Sequence, residues 1–179
     1  MRIIAGEWRG RRITPPPGRA VRPTTDRVRE SWMSAMGGRF DGLRVWDLCA
    51  GSGALGLECL SRGAEGCIFV EKAASVVRVI EANVAALGAG PRARIVRSDV
   101  IRWLDADPPP EPVDLVVADP PYASGLAATL LERFAATPFA RQLWVEHRSG
   151  DIVPDLPGLR QRKYGDTTLS TLDARAPTA

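Results

Sequence analysis

The sequence is poor in the residues that staple, ligate or anchor a chain. Its 179 residues include three cysteines, Cys49, Cys59 and Cys67, and one histidine, His147. The cysteines are odd in number and form no CxxC pair, so neither a disulfide framework nor a zinc site is indicated. No metal is expected. No apolar run is long enough to span a bilayer, and the opening MRIIAGEWRGRR lacks the apolar centre of a signal peptide. Membrane and secreted classes are set aside, and a reducing cytoplasm is the expected setting. Lysine is scarce as well, with two against 22 arginines.

The charge that is present is unevenly placed. Residues 1–40 hold nine arginines and three acids, a balance of +6, whereas the remainder sums to −3. A compositional preference for arginine would act on both parts alike, so the asymmetry needs its own reason. A basic arm on a mildly acidic body suggests an anionic partner, nucleic acid first; a solvated basic tail is the bland alternative. Hydrophobic content of 45% and this length are consistent with one well-filled core.

The hydrophobic pattern alternates between two periods. After the extended ITPPPGRAVRP, Thr25 or Asp26 caps a predicted helix carrying Val28, Trp32 and Met36. Strands are predicted at residues 44–48, 67–71, 93–98, 113–119 and 142–147. Helices near 54–62, 73–87, 100–104 and 125–136 fall after the first four, and a hairpin turns at Gly165-Asp166. Near-continuous apolar strands alternating with helices indicate an α/β fold, a mostly parallel twisted sheet covered on both faces, with a C-terminal antiparallel hairpin at one edge. Residues 1–40 would form a basic arm and helix suited to a nucleic acid, and residues 41–179 the α/β domain.

In such sheets ligands bind beyond the carboxyl ends of the strands. Those ends carry Asp47, Glu71, Asp99 and Asp119. Four acids around one crevice would repel one another unless they face hydroxyls, amines or a cation. The loop after the first strand reads Gly51-Ser-Gly53-Ala-Leu-Gly56, a GxGxxG pattern, with Glu71 where a ribose-binding carboxylate belongs. Together they indicate a nucleoside cofactor. A pyrophosphate beside Asp47 is disfavoured. S-adenosylmethionine, with its ammonium and sulfonium, suits the acids better: Asp47 for the ammonium, Glu71 for the ribose, Asp99 for the adenine edge.

The fourth strand stops at Asp119-Pro120-Pro121-Tyr122. Two prolines remove two backbone donors and fix two φ angles, so the corner is rigid. It can hold the Asp119 carboxylate and the Pro120 carbonyl toward one exocyclic base amine, accepting its N–H bonds and raising its nucleophilicity. Tyr122 would stack on a flipped-out base, a contact worth about 1–3 kcal/mol. A stiff turn with no catalytic role is the alternative.

The combination DLCAGSGALGLE, FVE, SDV and ADPPY resembles the bacterial family of small-subunit ribosomal RNA guanine-N2 methyltransferases. RIIAGEWRGRRI, RPTTDRVRESW and YGDTTLS extend the likeness over nearly the whole chain; Trp32 and Met33 depart from the residues commoner there. The resemblance implies a Rossmann-like class I methyltransferase that methylates one guanine N2 within an assembled or assembling small subunit, and a monomer. By position it implies cofactor contacts from Asp47, Ala50, Gly51, Ser52, Gly53, Glu71, Lys72, Asp99 and Val100. Asp119, Pro120, Pro121 and Tyr122 would hold the base. Arg2, Arg9, Arg11, Arg12, Arg22 and Arg27 would contact RNA.

Three other readings compete. A DNA adenine-N6 methyltransferase shares the Asp-Pro-Pro-Tyr chemistry, but little chain remains for a DNA-reading domain. An NAD-dependent oxidoreductase leaves Asp119–Tyr122 unexplained, and a silent RNA-binding module leaves the intact motifs without a use. His147 is expected to be a partly exposed strand-end residue, Trp46 and Trp144 core residues, and Cys49 a small packing residue. Trp8 either stacks on RNA or packs onto the sheet.

Overall fold

The computed structural model describes residues 1–16, 26–106, 113–122 and 124–174. Five parallel strands form the centre: β1 (Arg44–Leu48), β2 (Gly66–Glu71), β3 (Ala93–Arg97), β4 (Val113–Ala118) and β5 (Ala140–Arg148). Two further strands, β6 (Arg160–Tyr164) and β7 (Thr167–Asp173), complete a seven-stranded sheet in the order β3-β2-β1-β4-β5-β7-β6. β7 pairs antiparallel to both β5 and β6, so the hairpin turning at Gly165-Asp166 lies at one edge. The order reverses between β1 and β4, which opens a crevice at their carboxyl ends.

Alternation along each strand sorts the core into two layers. Val45, Phe69, Leu115, Val117 and Trp144 face α1 (Asp26–Ala35), α2 (Ala54–Ser61) and α3 (Ala74–Leu87). Trp46, Val70, Val116, Leu143 and Val145 face α4 (Val100–Ala106) and α5 (Leu126–Ala136). Because both faces are covered, these strands read as apolar runs rather than alternating ones. The predicted element boundaries agree with the observed ones to within a few residues.

Residues 1–13 form a folded-back loop that the sequence pattern did not reveal. Arg2 bridges Arg12 antiparallel, Ile3 N–H donates to the Arg11 carbonyl (2.9 Å), and Ile13 N–H donates to the Met1 carbonyl (3.1 Å). Ile3, Trp8 and Ile13 point down into the same core as α2 and α3, while Arg2, Arg9, Arg11 and Arg12 stay exposed. Trp8 therefore packs down: it is 4% exposed, beneath the Arg92 guanidinium at 4.9 Å. The loop is tied to α2 through Glu58, whose carboxylate accepts the Ile4 and Ala5 N–H groups at 2.9 and 3.0 Å. Glu58 also pairs with Arg62 and with the buried Arg29 of α1.

Candidate active site

The loop between β1 and α2 is shaped by backbone first. Cys49 takes a φ of 61°, a left-handed conformation uncommon for a residue with a side chain. Gly53 caps α2 at φ 78°, where a Cβ would be strained. Gly56 lets α2 approach the sheet closely: a Cβ there would fall 2.4 Å from a Phe69 ring carbon.

A cavity of about 230 Å³ lies beyond the ends of β1, β2, β3 and β4. Its wall includes Gly51, Glu71, Lys72, Asp99, Val100 and Asp119. These predicted site residues are brought together from four strand ends, and Pro121 and Leu126 close the cavity on the β4 side. Cys49 and Pro16 also line it. Sequence reading missed Pro16; Cys49 it placed in the loop as a small packing residue. Burial, reinforced by Glu71, Asp47 and Asp119, pushes its thiol up to about 12, so it is no nucleophile near neutral pH.

Three of the four strand-end acids have a structural duty as well. Glu71 accepts the Gly51 N–H (3.2 Å) and the Ala73 N–H (2.9 Å), fixing the loops on either side. Asp99 caps α4, taking the Ile101 and Arg102 N–H groups. Asp47 sits deeper than the expectation placed it. It is 1% exposed, shares the α2-facing side of β1 with Val45, and accepts the Gly56 N–H at 2.9 Å. It is not among the residues lining the cavity, and neither are Ala50, Ser52 and Gly53. Ser52 instead offers its carbonyl to Asn83, whose side chain also exchanges two hydrogen bonds with the Thr14 backbone.

The corner after β4 is held from both sides. The Ser124 hydroxyl and N–H close on the Pro121 carbonyl at 2.6 and 3.3 Å. The Pro120 carbonyl accepts no hydrogen bond from the described residues. Asp119 is half-buried, and Tyr122 is 43% exposed. The Tyr122 hydroxyl donates to Glu146 Oε1 at 2.8 Å and lies 3.2 Å from Thr167 Oγ1. Burial, with the Glu146 carboxylate beside it, pushes the phenol up to about 12. Glu146 on β5 and Thr167 on β7 escaped the sequence reading because each is distant in sequence from the motif it touches.

His147 is buried at 3% exposure, not partly exposed. One ring nitrogen lies 3.0 Å from the Arg148 carbonyl, which can only accept, so Nδ1 carries a proton; Nε2 lies 2.8 Å from Ser170 Oγ. It is a satisfied core histidine. Arg9 and Arg12 are exposed on the N-terminal loop. Arg11, also exposed, donates to the Ala86 carbonyl. Arg22 lies outside the described residues, and of Arg27 only its backbone place on α1 is described. Among the described residues no three His, Cys, Asp or Glu side chains gather in a metal-holding group, and no helix is long and apolar enough to cross a membrane.

Comparison with known proteins places the chain in a family. The family model described as Conserved hypothetical protein 95 matches residues 1–173. Ribosomal RNA small subunit methyltransferase D of Escherichia coli (strain K12) is 37% identical over 160 residues, 88% of this chain and 79% of that protein. The Bacillus subtilis protein YlbH is 34% identical over 187 residues, covering 98% of this chain and 100% of that protein. Among solved structures, Escherichia coli yhhF superposes with a TM-score of 0.81 at 33% identity, covering 98% of both chains. The architecture is that of class I methyltransferases. The chain is a methyltransferase, and it belongs to the family of ribosomal RNA small subunit methyltransferase D, described as Conserved hypothetical protein 95.

Proposed function

We propose that this protein transfers a methyl group from S-adenosylmethionine to the exocyclic N2 amine of a guanine in small-subunit ribosomal RNA. The observation that carries the reading is the Asp119–Pro120 corner. It sets the half-buried Asp119 carboxylate in the wall of a cavity shared with Glu71 and Asp99, with the Pro120 carbonyl next along the rigid corner. The closely similar Escherichia coli relative, named for methylating small-subunit RNA, supports the substrate class.

The residues present fit the cofactor. Asp47 occupies the Gly56 N–H near the start of α2, where a pyrophosphate would otherwise seek donors, so a dinucleotide is disfavoured. Glu71 and Asp99 line the cavity as acceptors for ribose hydroxyls and an adenine amine, with Val70 and Val100 offering apolar contact to the ring. When bound, S-adenosylmethionine supplies a methyl group made electrophilic by its sulfonium. The Asp119 carboxylate and Pro120 carbonyl orient the amine by accepting its N–H bonds, and Tyr122 holds the base by stacking. Most of the catalysis is positioning. Residues 1–40, with Arg2, Arg9, Arg11 and Arg12 exposed, form the RNA-contacting part.

Transfer of labelled methyl to small subunits, naked ribosomal RNA and duplex DNA, run in parallel, tests the reading. Label is expected on a guanine N2 of the RNA, best within subunits. Label in DNA alone would overturn the substrate assignment.

A further inference from the structure

Tyr122 is exposed, and a ring meant to receive a base would lose much of its value if it could swing freely. The structure ties down its far end. Its hydroxyl donates to Glu146 Oε1, and that spent proton leaves the phenol oxygen to accept from the Thr167 hydroxyl. Glu146 is 2% exposed on the α1-facing side of β5, two residues beyond the core residue Trp144. Burial pushes the Glu146 carboxyl above its ordinary range, opposed first by the Tyr122 hydroxyl and then by the indole of Trp32 on α1. Glu146 and Tyr122 also share the wall of a cavity of about 260 Å³ with Pro120, Pro121 and Val153.

A carboxylate placed at such depth is costly unless something needs it. Its hydrogen bonding runs outward, to Tyr122. We propose that Glu146 is a positioning residue that fixes the Tyr122 ring as the platform for the acceptor base, with Thr167 as a second strut. On this view the antiparallel edge of the sheet, through β5 and β7, sets the base-holding geometry, while the parallel half builds the cofactor cavity. The inference rests on the methyl-transfer reading above.

The test is a mutant cycle on the full chain, with small ribosomal subunits lacking the methyl group as substrate and S-adenosylmethionine affinity measured separately. Tyr122→Phe and Glu146→Leu should each lower kcat/KM for subunits about fivefold to tenfold, the worth of one hydrogen bond. S-adenosylmethionine affinity should not change. Glu146→Gln, which keeps an acceptor oxygen, should recover most of the loss, and Thr167→Val should show a smaller one. Adding Glu146→Gln or Glu146→Leu to Tyr122→Phe should cost little more, because the contact is already gone. Additive losses in the double variants would overturn the proposal, as would an unchanged kcat/KM in Tyr122→Phe. If Glu146→Leu does not fold, Thr167→Val against Tyr122→Phe decides the matter, additive losses there overturning the proposal. A wild-type protein that labels no RNA would instead bring down the methyl-transfer reading itself.

Discussion

Asp119 and Asp47 are both acids at the ends of adjacent strands, yet burial gives them different roles. Asp119 is half-buried at the cavity wall. Asp119→Ala is expected to lower methyl transfer by about a hundredfold or more while S-adenosylmethionine binding, followed by equilibrium titration, persists. Loss of both together would contradict the division of roles between the corner and the glycine loop. Asp47 is buried, and desolvation pushes its carboxyl well above the ordinary range; the Gly56 N–H opposes this, and Asp119 and Glu71 add to it. The folded state then holds this proton more tightly than the unfolded chain. Above the unfolded carboxyl's range the folded state binds more protons, so this residue's contribution to stability falls as pH rises. Asp47→Asn keeps an acceptor for Gly56 and removes the ionisation. Its melting temperature, relative to the parent protein, should improve with pH across roughly pH 5 to 8; parallel curves would show that the buried carboxylate carries no such penalty.

At the scale of elements, α2 and α3 connect the N-terminal loop to the cofactor cavity. Gly56 is where α2 meets β2, and an added methyl would fall 2.4 Å from Phe69 and 2.7 Å from the Cys67 sulfur. Gly56→Ala should therefore destabilise the fold by about 1–3 kcal/mol, read from the denaturation midpoint. Asn83 on α3 holds the Thr14 backbone with one end of its amide and both Thr14 and Ser52 carbonyls with the other. Asn83→Ala leaves those groups unpaired, at about 1–3 kcal/mol. Faster proteolysis near residues 14–16 together with weaker S-adenosylmethionine binding is the expected signature, since Pro16 lines the same cavity. A variant that is destabilised evenly, with intact cofactor binding, would separate the loop from the cavity.

Over the whole molecule, a folded basic loop lies on a body whose balance is −3, with Arg2, Arg9, Arg11 and Arg12 exposed while its apolar residues fill the core. Arg9, Arg11 and Arg12 replaced together by alanine should weaken RNA binding and flatten the dependence of log affinity on log salt. The Arg11 contact to the Ala86 carbonyl predicts a modest loss of stability as well. Unchanged binding and an unchanged salt slope would remove the loop from the RNA interface.

The alternation of apolar strands with helices was enough to place β1 through β5, because a strand buried on both faces must be apolar throughout and must end in a turn. The Asp-Pro-Pro-Tyr corner and the glycine loop were legible for a similar reason: rigid backbone chemistry is local, and two prolines or a run of glycines announce it. What only the tertiary structure decided involves partners far apart in sequence. Glu58 under the N-terminal loop, Glu146 and Thr167 behind Tyr122, and Asn83 between Thr14 and Ser52 are ordinary polar residues until folding sets them opposite a particular group. Burial likewise moved Asp47 from the rim to the underside of α2 and His147 into the core. Periodicity records which face a residue takes, but the depth of that face and the group waiting there depend on chain segments that meet only in three dimensions.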